Sequence, residues 1–172
     1  MDIRVQLLKA HSKENANLIA EQVLQRPEDF KVLMDLFLGD DELLAQRAAW
    51  SIGMVGEYKP ELILPHLPNL LPVLQNARHP ALTRNIYRVL QKTDVPTEYQ
   101  GLLFDLAIQE VTNPGRPPAI RVFAMTTALR IVTKVQELAP ELQMVIEENM
   151  EHAPKAFLSR GRKTLKALEL LI

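Results

Sequence analysis

Asp40-Asp41-Glu42-Leu43-Leu44-Ala45-Gln46-Arg47-Ala48-Ala49-Trp50-Ser51-Ile52-Gly53 holds a helix start, an apolar stripe and a lone arginine within one short stretch. Asp40 and Asp41 offer a carboxylate where the first backbone N–H groups of a helix lack partners. Ala45, Ala49 and Ile52 then recur at helical spacing, so one side of the segment is to be buried. Arg47, Trp50, Ser51, Met54 and Tyr58 fall on or beside the other side. Trp50 and Met54 are thus apolar side chains on a face that the pattern expects to be wet.

Laying the chain on itself with a shift of 37 residues repeats this arrangement. Ala45, Ala49 and Ile52 fall on Leu82, Ile86 and Val89, then on Ala119, Phe123 and Thr126. Arg47 falls on Arg84 and then on Arg121. The preceding helix keeps the same period: Phe30, Leu33, Met34 and Phe37 align with Leu67, Leu70, Leu71 and Leu74, then with Phe104, Ala107, Ile108 and Val111. A fourth unit carries Leu142, Val145 and Ile146 on its first helix and Arg160 on its second. Period-two alternation is hard to find anywhere, so the chain reads as all-α.

Breakers divide it into segments at about 2–9, 13–25, 27–38, 42–57, 60–75, 80–92, 97–112, 117–135, 138–151 and 154–171. Ser12 is placed to cap the second and Pro27 to open the third. Pro65, Pro68 and Pro72 predict a break near 65–68 in the fifth. Leu33, Leu70, Ile86, Phe104 and Phe123 are expected to be deeply buried.

Paired helices near this period, with an Arg early in the second helix and prolines opening the first, resemble the HEAT-repeat (armadillo-like) α-solenoid family over about residues 28–172. The Asp turn followed by Arg-Ala-Ala in residues 40–49 is closest to the family pattern. The resemblance implies an all-α, right-handed α-α superhelix of HEAT-like hairpins with about nine or ten helices. It implies one repeat domain over 1–172, with capping helices at 1–27 and about four helix pairs over 28–172. It also implies a ladder joining Asp40 or Asp41 to Arg47. The turns before Arg84, Arg121 and Arg160 carry no Asp, so the ladder is expected to be incomplete there.

Composition limits the chemistry. Hydrophobic residues at 47% and charged residues at 24% match soluble globular averages, so a core is to be buried. There is no Cys, which removes disulfides, thiolate metal sites and thiol nucleophiles. His11, His66, His79 and His152 are scattered; none has Glu three residues before it, and no H-E-x-x-H occurs. Phosphate-loop, dinucleotide and nucleophile-elbow motifs are missing too. Nor does the chain resemble the fumarase and adenylosuccinate lyase group, whose Met-Pro-x-Lys-x-Asn signature it lacks. No catalytic residue, cofactor or metal is therefore expected. Residues 62–74 are the most apolar run but contain His66, Asn69 and prolines, short of the ~20 apolar residues that span a bilayer. Met1 to Gln6 lacks the basic and apolar regions of a secretory signal, and cytoplasmic residence is the default expectation.

The net charge of −1 hides a segregation. The first helices of the four pairs (28–38, 60–76, 97–112, 138–151) carry −2, −1, −3 and −4, together −10. The second helices (41–58, 79–92, 117–135, 154–171) carry −2, +3, +3 and +4, together +8. By the HEAT resemblance the second helices line the inner side, which would then be basic. Two readings stay open: mutual attraction of solvated layers, or a groove for an acidic partner. Trp50, likewise, is either a binding anchor or a wedge between repeats.

The functional expectation is a non-enzymatic protein-protein interaction scaffold that holds an acidic or extended segment of another protein. Arg47, Trp50, Met54, Arg84, Tyr87, Arg88 and Arg121 are the expected contacts, sharing one accessible inner surface. The alternative is a nucleic-acid binding protein resembling HEAT-like DNA-alkylation repair proteins, whose active-site aromatic and carboxylate set has no counterpart here. A role resembling phycobilin lyases with HEAT-like repeats is a third reading. On the last helix, Phe157, Leu165 and Leu168 form the expected inner stripe, while Lys155, Arg162, Lys163 and Lys166 face outward as a solubilising cap or a nucleic-acid patch.

Overall fold

A computed structural model describes residues 1–171 and contains ten α-helices and no strand among them. Helix α1 (Ile3–Lys9) and α2 (Lys13–Gln25) begin at side-chain caps: Asp2 Oδ1 accepts from Val5 N at 3.0 Å, and Ser12 Oγ from Asn15 N at 3.1 Å. Pro27 opens a 3-10 turn that runs into α3 (Phe30–Leu38). Asp41 caps α4 (Glu42–Tyr58), its Oδ1 accepting from Leu44 N at 3.1 Å.

The prolines of the fifth segment act as expected. Pro60–Leu62 and Leu64–His66 are separate 3-10 turns, and α5 (Leu67–Gln75) begins only after them, because Pro residues supply no N–H and fix φ. Helices α6 (Pro80–Leu90), α7 (Thr97–Thr112), α8 (Pro118–Val132), α9 (Ala139–Glu148) and α10 (Lys155–Leu168) complete the chain.

Packing divides these helices into two compact units, Met1–Val89 and Leu90 onward. In the first, α4 packs on both α2 and α3. Two glycines bring α4 close to α6: a Cβ on Gly53 would run into the Asn85 carboxamide, and one on Gly56 would sit 2.7 Å from Val89 Cγ1. In the second unit, α8 lies against α7 and α10, and α9 against α7 and α10.

The apolar stripes of the first helices are where the repeat places them. Phe30, Leu33, Met34 and Phe37 are buried, as are Leu67, Leu70, Leu71 and Leu74, then Leu142, Val145 and Ile146. On α7, Phe104, Ala107 and Val111 are buried while Ile108 is half-buried. Among the second helices, Ala45, Ala49, Ile52, Leu82, Ile86 and Val89 are all buried.

The stripe expected on α8 is displaced. Ala119, Phe123 and Thr126 are half-exposed, and the buried positions are Ile120, Ala124 and Thr127, each one residue later. The offset between α6 and α8 is thus 38 rather than 37, because the turn from Asn113 to Pro117 holds one more residue and α8 starts at Pro118. One residue rotates a helix by about 100° at 3.6 residues per turn, enough to turn Phe123 partly out of the core. On α10, Phe157 and Leu168 are buried with Gly161 and Thr164, while Leu165 is only half-buried.

Candidate functional site

Two depressions lie along the second helices of the first unit. The smaller, about 130 Å³, is lined by His11, Gln46, Trp50, Ala81, Arg84, Asn85 and Arg88. It brings together three of the expected contacts, Trp50, Arg84 and Arg88, from α4 and α6. Trp50 is half-buried, and its ring meets that of His11 at 5.5 Å between centroids, inclined by 61°. That arrangement puts the positive edge of one ring against the face of the other.

The two arginines of the depression differ. Arg84 is exposed and makes no hydrogen bond or ion pair with any described residue. Arg88 donates from Nη2 to Glu57 Oε2 at 2.7 Å, with both side chains about three-quarters shielded from solvent, so its charge is locally compensated. Beside them a wider groove of about 420 Å³ runs over α2 and α4, between Lys13, Glu21 and Leu24 on one wall and Met54 and Tyr58 on the other. Tyr58 is 75% exposed and Met54 only 6%, so of these two lining residues the phenol is the accessible one.

The remaining expected contacts are held elsewhere. Arg47 is half-buried and spends its guanidinium on α1: Nη1 donates to Leu7 O at 2.8 Å and to Leu8 O at 3.0 Å. These are carbonyls at a helix C-terminus, which lack intrahelical donors and carry the negative end of the dipole. Tyr87 is fully buried, a correction to its expected accessibility. The physical reason is that α6 is covered on its flanks as well as its inner side. Thr83, Asn85 and Leu90 are buried with it, and only Pro80 and Arg84 of this helix are fully exposed. Met54 is buried for the same reason, along with Ser51 and Val55.

Arg121 is likewise corrected from a surface residue to a buried staple. Its Nη2 and Nε donate to Val111 O at 2.7 and 3.0 Å, closing the C-terminus of α7. Its Cζ stands 4.2 Å from the centre of the Phe157 ring, and Nη2 reaches Asn149 Oδ1 at 3.4 Å. Burial pulls the Arg121 guanidinium below the ordinary arginine value. The one-residue shift of α8 accounts for this placement: Arg121 corresponds to buried Thr83 and not to exposed Arg84.

The expected aspartate–arginine ladder is not formed, because Asp41 is committed to capping α4 and Asp40 faces solvent. Cations joined to carbonyls of the preceding repeat take its place. Lys59 Nζ donates to Leu24 O at 2.9 Å and Arg78 Nη2 to Gly39 O at 2.6 Å, each at a helix end. In the second unit, Arg130 Nε donates to Thr93 O at 3.2 Å while its Nη2 pairs with Asp94 at 2.7 Å. The partners are 35 to 40 residues apart, one repeat, which is the spacing for Arg47 as well. Sequence inspection missed His11 and these carbonyl contacts, since a backbone acceptor leaves no residue-type signal.

Among the described residues no three of His, Asp and Glu converge as metal ligands, and no helix is long and apolar enough to cross a membrane. The family of HEAT repeat domains matches the chain over residues 3–168. No curated protein and no solved structure matches it.

Proposed function

Since the chain belongs to the HEAT repeat domain family, a helical-repeat architecture that commonly mediates protein interactions, we propose that it is a non-catalytic scaffold gripping a segment of another protein on the second helices of its first unit. The observation that carries this reading is the depression where half-exposed Trp50 lies beside the uncompensated guanidinium of Arg84. An indole brings rigid contact area at low entropic cost, and a free guanidinium receives a carboxylate with two parallel hydrogen bonds. The segment that fits is extended, with an acidic residue for Arg84 and an apolar one for Trp50. Arg88 and Met54 form the border toward the wider groove. Arg47, Tyr87 and Arg121 serve as internal supports.

A photo-crosslinking residue in place of Gln46, which lines the depression, captures the partner for identification and purification. Against that partner, Trp50→Ala is expected to weaken binding by about 2 kcal/mol, roughly thirtyfold, in the range of hot-spot truncations. Arg84→Ala should slow association and flatten its salt dependence. Should Trp50→Ala be silent while Arg84→Ala/Arg88→Ala removes one to two units of salt slope, the surface binds a phosphate backbone instead. Wild-type affinity in both variants would sink the proposal.

A further inference from the structure

Arg47, Lys59, Arg78, Arg88, Arg116, Arg121 and Arg130 each hold a carbonyl or a carboxylate. Helix α10 departs from that pattern. Its 14 residues contain Lys155, Arg160, Arg162, Lys163 and Lys166 and no acidic residue. None of these five makes a hydrogen bond or ion pair with a described residue, and all but Arg160 are exposed. Lys155, Ser159, Arg162 and Lys166 follow each other at four, three and four residues, a straight row on one side, with Lys163 beside it. Phe157, Gly161, Thr164 and Leu168 are buried on the opposite side.

We propose that the exposed row of α10 is a docking surface for the phosphate backbone of a nucleic-acid duplex. The row is about 16 Å long at 1.5 Å per residue, a length over which each duplex strand carries about five phosphates. Four exposed cations, Lys155, Arg162, Lys163 and Lys166, without a partner among the described residues release counterions from such an array. The composition of the row separates this occupant from the other polyanions. A helix seated in an anionic membrane inserts an apolar face, and the apolar face of α10 is already spent on its own unit; attraction to anionic lipid by charge alone is separated by the vesicle arm of the test below. A protein interface needs an aromatic or aliphatic anchor amid its charges, and single-stranded nucleic acid needs rings to stack on; within α10 the row presents neither, and the exposed Leu170 lies past its end. On α9, packed against α10, Glu141, Glu147 and Glu148 are exposed, so the hairpin repels a polyanion from its first helix and draws it to its second.

The test is fluorescence anisotropy of a labelled 20-base-pair mixed-sequence DNA duplex with the full chain, between about 50 and 200 mM salt. Four phosphate contacts predict a slope of log affinity on log salt of about −3.6, at about −0.9 per contact. Arg162→Gln/Lys163→Gln/Lys166→Gln should reduce that slope by about three units and weaken binding at 50 mM salt at least tenfold, with an unchanged helical circular dichroism spectrum. Trp50→Ala and Arg84→Ala should leave duplex binding as in the wild type, so loss of the protein-binding reading would not carry this one with it. The proposal is overturned if the duplex does not bind at 50 mM salt, or if the triple glutamine variant binds it like the wild type. It is overturned equally if polyglutamate of matched charge competes as well as unlabelled duplex, or if phosphatidylserine vesicles bind α10-dependently where duplex does not.

Discussion

Arg47, Arg84 and Arg121 align in the sequence and have three separate roles. Arg84 is exposed without a described partner, Arg47 closes the end of α1, and Arg121 is 3% exposed with two hydrogen bonds to one carbonyl. Their substitutions should separate accordingly. Arg121→Ala leaves the Val111 carbonyl buried without a donor and removes the cation from the Phe157 ring, and should cost about 2–4 kcal/mol in urea unfolding. Arg84→Ala should stay within about 0.5 kcal/mol of the wild type, as surface changes do. The phenylalanines make the same point. Phe104, 1% exposed, should cost about 3–5 kcal/mol on truncation to Ala, whereas half-exposed Phe123 should cost clearly less, about 1–2 kcal/mol, when both are measured by the same denaturant titration. The alignment of residue types was legible; which of three equivalent arginines is free was not, because the extra residue before α8 turns Arg121 inward and the carbonyls ending α1 take up Arg47.

At the scale of the helix, starts are well encoded and contacts are not. Asp2, Ser12 and Asp41 cap their helices as residue type predicts, and the prolines before α5 delay it to Leu67. The approach of α4 to α6 depends instead on Gly53 and Gly56, which in sequence are only weak points of a helix. Gly56→Ala gains about 1 kcal/mol of helix propensity but sets a methyl group against Val89 and Ile63, an overpacking that costs about 1–3 kcal/mol. A lowered thermal midpoint is the expected balance. Gly101, in mid-helix of α7 with nothing within 4 Å of its absent Cβ, is the control, and Gly101→Ala should raise the midpoint. If both substitutions stabilise, the close approach of α4 and α6 is not as described.

For the molecule as a whole, ten helices and no strand among the described residues predict a far-UV circular dichroism spectrum dominated by helix, and a β-dominated spectrum would contradict the fold. The architecture was readable in advance because a repeat writes its apolar stripe several times, and each copy checks the others. Residue type and spacing alone determined the helix boundaries, the repeat, the buried stripes of the first helices and the segregation of charge between layers. Those are local properties, set by periodicity, caps and proline. Only the tertiary structure decided that Tyr87 and Arg121 are interior, that Arg88 is paired with Glu57, and that Trp50, His11 and Arg84 share one depression. A helix in a stack is covered on its flanks by neighbours that its own amphipathic pattern does not record, and backbone carbonyls recruit side chains one repeat away without any mark in the sequence of either.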